Sequence, residues 1–223
     1  MSFKAIQRIL GLLLMVFSLS MLPPVGVSLL YADGAHLPFI AAAAWLIGVG
    51  GLIWWPARHD RRDLRLRDGF MVVTLFWTVL WLAGALPLYI SPQPSIGVTD
   101  AIFEAVSGLT TTGATVLVGL DYLPKSILYY RQQLQWLGGM GIVILAVALL
   151  PMLGVGGMSL YRAEMPGPVK DAKLTPRITQ TAQMLWVVYV TITAACAGAY
   201  WLAGMGPFDA VGHAFATVAI GGF

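Results

Sequence analysis

A short polar stretch occurs twice in this chain, each time after a long apolar run. The first copy runs from Asp100 to Gly113, and the second runs from Asp209 to Gly222. The two copies lie 109 residues apart, and at this offset the residue after each aspartate is an alanine. Because an internal repeat fixes the unit of construction, we expect the fold to be built from two equivalent units.

Both copies have the pattern of a short helix followed by non-helical backbone. Asp100 and Asp209 are predicted to cap these helices, because an N-cap carboxylate accepts hydrogen bonds from orphan backbone N–H groups. Each pattern then ends in residues rich in threonine or glycine. Non-helical backbone at membrane depth must be covered by protein or line a water-filled cavity, so each copy is a candidate re-entrant pore loop. The alternative is a short surface helix followed by an ordinary turn.

The composition is that of an integral membrane protein. The 223 residues are 58% hydrophobic and 10% charged, whereas a soluble domain is roughly 25% charged. The sequence contains no nucleophile–base pair, phosphate-binding loop or dinucleotide fingerprint, so an enzyme is not predicted. The single cysteine and three widely spaced histidines lack metal-ligand spacing. We therefore expect no bound cofactor, and no nucleic acid as a partner.

Five apolar stretches are long enough to cross a bilayer as helices of about 20 residues. A signal peptide is the alternative for the first one, but no clear cleavage site follows it. We predict spans at 5–31, kinked or broken near Pro23–Pro24, and at 37–55, 70–90, 126–153 and 179–202. The predicted fold is all-α and divides into three parts: an N-terminal two-span extension (1–68), a first span–pore loop–span repeat (69–156), and a linker with an incomplete second repeat (157–223).

The distribution of lysine and arginine predicts that the N-terminus is cytoplasmic. In that orientation eleven of the thirteen basic residues are inside, and both loops enter from the outer face. The cluster of five arginines between Arg58 and Arg67 is interpreted as part of this positive-inside signal. The alternative is that the cluster contacts anionic lipid or a cytosolic partner.

The residues at the end of each copy carry no ionised side chain. They are Thr110, Thr111, Thr112 and Gly113 in the first copy, and Ala219, Ile220, Gly221 and Gly222 in the second. Their only ligands are backbone carbonyl groups and hydroxyl groups, which suit a partly dehydrated alkali cation. Glycine permits the positive φ that turns a carbonyl inward, and Gly113, Gly221 and Gly222 are expected to provide it.

Neighbouring residues are expected to support these loops. The negative C-terminal end of each short helix would face the ion, which favours a cation. Gly138, Gly139 and Gly141 in the fourth span permit close backbone approach, and the expected neighbour is the loop. Arg131 has two open interpretations, an interfacial charge or a brace for the filter. Glu104 is expected to have a structural hydrogen-bonding role.

Two stretches of the chain resemble the selectivity filters of the Trk/Ktr/HKT potassium transporters. Residues 107–115 resemble the first filter of this superfamily, and residues 216–223 are similar to the second filter of its bacterial TrkH branch. Arg131 with residues 135–141 is similar to the helix that follows the first filter in that branch, and the two additional N-terminal spans also fit it. The resemblance covers essentially the whole chain.

The resemblance implies a potassium uptake pore built from four repeats in one chain, with Gly113 and Gly222 as central filter glycines. It implies potassium as the substrate, and a homodimer in the bilayer of a bacterial inner membrane. It also implies a cytosolic nucleotide-binding regulatory subunit of the TrkA type, and a gate in the third repeat. The sequence ends at Phe223, inside the second filter, so we interpret it as the N-terminal part of a longer protein that does not conduct alone.

Two other functions stay open at this point. A cation symporter with broken helices would carry ionisable residues within its spans, and beyond Arg131 none is found. A non-transporting membrane anchor or assembly subunit would use the loops only structurally. A Gly113→Asp substitution separates these readings, because it should abolish selective uptake by a pore and leave an anchor unaffected.

Overall fold

Every regular element in the described part of the chain is a helix. The computed structural model describes residues 3–59, 66–152 and 174–223. The α-helices are α1 (Phe3–Ser18), α2 (Leu22–Tyr31), α3 (His36–Trp54), α4 (Leu66–Ile90), α5 (Val98–Leu109), α6 (Lys125–Met152), α7 (Leu174–Leu202) and α8 (Pro207–Val218), with short 3₁₀ turns at Leu19–Met21, Trp55–Ala57 and Leu120–Tyr122. The prediction of an all-α fold is confirmed for these residues.

Four helical stretches in the described residues are long and apolar enough to cross a membrane, judged by length and composition. They are Phe3–Tyr31, His36–Ala57, Met71–Ile90 and Gln180–Leu202. The protein is therefore a membrane protein, and these stretches correspond to four of the five predicted spans. The fifth, predicted at 126–153, forms the 28-residue helix α6 but is not among the four.

Part of the predicted organisation lies outside the described residues. The boundary at residue 157 falls there, as do six of the basic residues used to predict orientation: Arg61, Arg62, Arg65, Arg162, Lys170 and Lys173. The predicted boundary between residues 68 and 69 falls inside α4, which begins at Leu66. Helix α4, the first helix of the predicted repeat, thus begins within the charged stretch at the end of the predicted N-terminal part (1–68).

The first span is interrupted just before its two prolines. α1 ends at Ser18, a 3₁₀ turn follows, and α2 begins at Leu22, so that Pro23 and Pro24 lie in the first turn of α2. Proline is tolerated there because the first N–H groups of a helix have no intrahelical acceptor. The predicted kink or break takes the form of this 3₁₀ turn a few residues before the prolines, within a stretch that stays helical from Phe3 to Tyr31.

Helices α1 and α3 cross at a pair of glycines. A Cβ atom added at Gly11 would lie 2.7 Å from the carbonyl oxygen of Gly50, and one added at Gly50 would lie 2.8 Å from that of Gly11. The two backbones are in direct contact, as is common where membrane helices pack through small residues. Phe39 of α3 then contacts Tyr130 of α6, with the ring centroids 5.2 Å apart. The N-terminal extension is therefore part of the core around α6.

Asp33, in the turn between α2 and α3, caps helix α6 across 93 residues of sequence. Its Oδ2 accepts a hydrogen bond from the backbone N–H of Ser126 at 2.9 Å. Its Oδ1 accepts hydrogen bonds from the Ser28 hydroxyl and from the backbone N–H of Ala35. Ser126 is the second residue of α6, so the carboxylate satisfies an N–H that has no intrahelical partner.

Replacing Asp33 with alanine is expected to lower the stability by about 1 kcal/mol at neutral pH. Burial raises the pKa of Asp33, but the hydrogen bonds from Ser28, Ser126 and Ala35 outweigh it and hold the pKa below its ordinary value of 3.8. The stabilisation is therefore present above pH 3.8 and is lost as the pH falls through the lowered pKa.

Thermal unfolding in detergent micelles measures this effect. The difference in melting temperature between the parent protein and Asp33→Ala should be largest near neutral pH and should shrink in acid. Asp121→Ala, which removes an exposed carboxylate in the loop before α6, is the control and should cause no such difference. A difference for Asp33→Ala that stays constant into strong acid would contradict the capping role.

Candidate functional site

The two predicted short helices are present, and each is followed by a segment without regular structure. Helix α5 leads into residues 110–119, here called the first segment, and α8 leads into residues 219–223, called the second segment. Both helices contain twelve residues, and their N-cap residues, Gly97 and Gly206, lie 109 residues apart. The sequence repeat is therefore also a repeat of local structure.

Asp100 and Asp209 are not the N-cap residues of these helices, and that prediction is wrong. Each is the third helical residue, after a glycine N-cap at position 97 or 206. Proline is favoured at the first helical position, so Pro207 starts α8 two residues before Asp209. The two carboxylates still lie in the first turn, where the positive end of the helix dipole favours negative charge.

Both helices end with the same backbone hydrogen bonds. Two N–H groups fold back onto carbonyl groups of the last turn, in the arrangement of a Schellman cap. The pairs are Thr111 with Gly108 and Thr112 with Ser107 in the first copy, and Ile220 with Thr217 and Gly221 with Ala216 in the second, with N···O distances from 2.8 to 3.0 Å. All of these residues match at the offset of the sequence repeat.

The two segments also share an unusual backbone conformation. Gly113 has a φ of 76° and Gly222 a φ of 83°, while Thr111 and Ile220 both have a φ of 56°. Glycine adopts this left-handed region readily, but a β-branched residue is strained there. Such strain persists only where the surroundings hold it, and it occurs here at matching positions of both copies. Gly221 does not have a positive φ, so the expectation that it supplies one is wrong.

The two segments touch each other through their glycines. A Cβ atom added at Gly113 would overlap the carbonyl oxygen of Gly221. A Cβ atom added at Gly221 would overlap the side-chain amide of Gln135 in α6. Gly221 is therefore needed for close approach, whereas Gly113 is needed both for close approach and for its backbone conformation.

Glycines of α6 lie against the helix end and the segments. A Cβ atom added at Gly138 would overlap the backbone carbonyl of Leu109, the last residue of α5. One added at Gly139 would lie 3.2 Å from Cα of Ala219, in the second segment. Gly141 differs, because among the described residues a Cβ atom there would meet only Trp77, at an ordinary 3.6 Å. The expected close approach to the loops thus applies to Gly138 and Gly139 and not to Gly141.

Arg131 and Glu104 form a buried ion pair. Nε of Arg131 donates to Oε2 of Glu104 at 3.0 Å, and the two side chains are only 3% and 0% exposed. One Nη of Arg131 donates to the hydroxyl of Thr115 in the first segment, at 2.9 Å. Of the two interpretations of Arg131, the buried contact with the loop is the one observed.

The second carboxylate oxygen of Glu104 holds the backbone of the first segment. Oε1 accepts hydrogen bonds from the backbone N–H groups of Val116, at 2.7 Å, and Leu117, at 3.3 Å, and from the Thr115 hydroxyl. Both oxygens of this carboxylate thus have hydrogen-bond donors, as a buried charge requires. The structural hydrogen-bonding role expected for Glu104 is observed.

Two residues that belong to the sequence motifs, but not to the predicted site residues, complete the site. The guanidinium carbon of Arg131 lies 4.2 Å from the ring centroid of Phe223, at the end of the second segment. The backbone N–H of Phe223 donates to Oε1 of Gln135 at 3.2 Å. Gln135 lies four residues after Arg131, and this spacing places both side chains on the same face of α6. That spacing was the available signal.

The arrangement offers neutral oxygen ligands along both segments. Thr110 donates from its hydroxyl to the carbonyl of Val106 at 2.7 Å and shares a second hydrogen bond with the Thr112 hydroxyl. Residues 97–119 and 206–223 contain no lysine or arginine. Within the described residues, no group of three or more histidine, cysteine, aspartate or glutamate side chains could hold a metal ion. The oxygen atoms that the two segments offer are backbone carbonyl oxygens and, in the first segment, threonine hydroxyl oxygens.

This fold and site define a class of protein: a helical membrane protein with a duplicated helix-and-loop unit. Comparison with known proteins gives the family: residues 36–223 match the family model TrkH, described as a cation transport protein. The chain belongs to the TrkH family, which confirms the resemblance found in the filter motifs.

Relatives and a solved structure agree with this assignment. The Trk system potassium uptake proteins TrkH of Halomonas elongata and of Escherichia coli strain K12 are 62% and 59% identical to the whole of this chain. The crystal structure of the potassium transporter TrkH from Vibrio parahaemolyticus matches it with a TM-score of 0.88 at 55% identity, over 100% of this chain and 44% of that one. The chain spans 46% of the length of the two curated relatives.

Proposed function

We propose that this chain forms the first two filter loops of a potassium uptake pore. The observation that carries the proposal is the matched backbone of the two segments, which share their caps and their positive φ angles and meet at Gly113 and Gly221. Loops that present backbone carbonyl groups can replace the hydration shell of potassium. Potassium is then the transported substrate, and the chain needs no bound cofactor.

The electrostatics of the site favour a cation. The C-terminal ends of α5 and α8, which are the negative ends of the helix dipoles, lead directly into the two segments. The nearby basic group, Arg131, is compensated by Glu104 at 3.0 Å. Because both groups of this pair are engaged in hydrogen bonds, they leave neither a free charge to repel an ion nor a carboxylate to trap one. This arrangement favours a filter over a symporter site with ionisable ligands.

The similar relatives support potassium as the ion, since both are named as potassium uptake proteins, and they agree with the prediction that the protein is not an enzyme. We propose that the complete pathway contains four such loops and works as a homodimer in the bacterial inner membrane. We further propose a cytoplasmic N-terminus and a cytosolic regulatory subunit of the TrkA type. Family membership and the positive-inside pattern support these proposals.

A chimera tests the proposed function in a chain of full family length. Residues 1–223 of this protein replace the matching residues of the Halomonas elongata relative, and the chimera is produced in a bacterial host that lacks potassium uptake. The chimera should restore growth at low potassium and take up rubidium. The unaltered relative, produced in the same host, is the reference for both measurements. A chimera that reaches the membrane in normal amounts and takes up no rubidium would refute the proposal.

A further inference from the structure

We propose that the Glu104–Arg131 ion pair couples the geometry of the two segments, so that Arg131 is a positioning residue for ion discrimination. The inference rests on the proposed filter function and extends it to how the two loops are held relative to each other. Neither residue lies in a segment itself: Glu104 belongs to α5 and Arg131 to α6.

The first segment is attached to this pair by four hydrogen bonds. Glu104 accepts from the backbone of Val116 and Leu117 and from the Thr115 hydroxyl, and Arg131 donates to that same hydroxyl. These bonds fix the chain immediately after Gly113. Because they involve ionised groups in a buried site, they are stronger than neutral hydrogen bonds and fix the geometry more tightly.

The second segment is attached to the same helix face. The planar guanidinium of Arg131 stacks on the Phe223 ring, which is a cation–π contact, and Gln135 accepts the Phe223 N–H one helical turn further on. The Gln135 amide also closes the space beside Gly221. Arg131 therefore contacts both segments, the first through the Thr115 hydroxyl and the second through the Phe223 ring.

The second copy has no acidic residue of its own at the equivalent position. The residue 109 positions after Glu104 is His213, which is exposed and whose ring faces Tyr200 with the centroids 6.4 Å apart. Among the described residues, the hydrogen bond and the cation–π contact of Phe223 come from α6, and its ring lies near Gly108 of α5, so its surroundings belong to the first copy and the helix after it. Because of this asymmetry, the geometry of the second segment depends on the Glu104–Arg131 pair, which belongs to the first copy and the helix after it.

Hydrogen exchange tests the coupling without requiring transport. In the chimera, Glu104→Gln keeps an oxygen that can accept from Val116 and Leu117 but leaves the Arg131 charge without its partner. Exchange of the Phe223 amide, which makes no contact with Glu104, should then accelerate by about tenfold or more as the local opening free energy falls. An unchanged Phe223 amide would overturn the proposal, whatever happens in the first segment.

Ion discrimination provides the functional readout. The ratio of rubidium to sodium uptake should fall about tenfold in Glu104→Gln and in Arg131→Gln. The double variant, which removes the unpaired buried charge and so protects folding, should discriminate no better than either single variant, because the two residues act as one unit. A double variant with the parent ratio would overturn the proposal.

Tyr130→Phe is the matched control on the same helix. It removes a buried hydrogen bond of 2.9 Å from Tyr130 to the carbonyl of Gly84, one residue before Arg131 and away from both segments. It should lower stability and leave both the uptake ratio and Phe223 exchange unchanged. A chimera without any rubidium uptake would refute the proposed function. Hydrogen exchange of the Phe223 amide would still show whether the ion pair couples the two segments.

Discussion

Alanine at position 113 is expected to abolish rubidium uptake by the chimera. The backbone of Gly113 has a φ of 76°, a conformation that costs an L-residue roughly 1–2 kcal/mol. The added Cβ would also overlap the carbonyl oxygen of Gly221, so the two segments could not keep their present contact. Both effects act on the backbone whose carbonyl groups are the proposed ion ligands, and uptake of rubidium as a tracer measures the loss directly.

Two further glycines give a graded control for this result. Gly222 has a φ of 83°, but no atom of the described residues lies within 4 Å of an added Cβ, so Gly222→Ala should reduce uptake less than Gly113→Ala. Gly198 lies within α7, and a Cβ there also meets none of the described residues, so Gly198→Ala should leave uptake unchanged. Equal uptake by Gly113→Ala and Gly198→Ala would show that the first segment does not determine transport.

Alanine at position 138 is expected to have the second large effect, mainly on folding. Its Cβ would overlap the backbone carbonyl of Leu109, so α6 and the end of α5 would have to move apart. Overpacking of this kind typically costs about 1–3 kcal/mol, and here no flexible side chain can yield. We expect a lower melting temperature in detergent and less folded protein in the membrane. Uptake should fall as well, because Leu109 directly precedes Thr110.

Gly141→Ala is the matched variant for this prediction. It introduces the same methyl group into the same helix, but at a site where the nearest atom of the described residues, in Trp77, is 3.6 Å away. Its melting temperature should be equal to or slightly above that of the parent, since alanine favours a helix over glycine. If Gly138→Ala and Gly141→Ala behave alike, the contact between α6 and the end of α5 is looser than described.

The parts of the site that could be predicted from the sequence are those determined by residues close to one another in the chain. The repeat predicted two short helices and marked Gly113 and Gly222, which do have positive φ. Thr111 and Ile220 could not be predicted in the same way, because β-branched residues disfavour that conformation. Backbone hydrogen bonds of the helix caps impose it there, and such bonds are not visible in residue preferences.

The errors and omissions also have physical causes. The preference of aspartate for the N-cap predicts Asp100 at that position, but the helix begins after Gly97, because glycine is also tolerated there. The role of Arg131 stayed open because its partner Glu104 lies 27 residues away, and their contact depends on how α5 packs against α6. Side-chain direction along a single helix is predictable, whereas the relative placement of two helices is not.

The cap that Asp33 provides for α6 has a consequence for how the protein is assembled. Chains are synthesised from the N-terminus, and early parts fold first, so α1, α2 and α3 are in place before α6 is made. They then present ready acceptors, the Asp33 carboxylate for Ser126 and the Ser20 carbonyl for Gln133. We therefore expect the N-terminal helices to act as a template during biogenesis, against which α6 docks through these two hydrogen bonds.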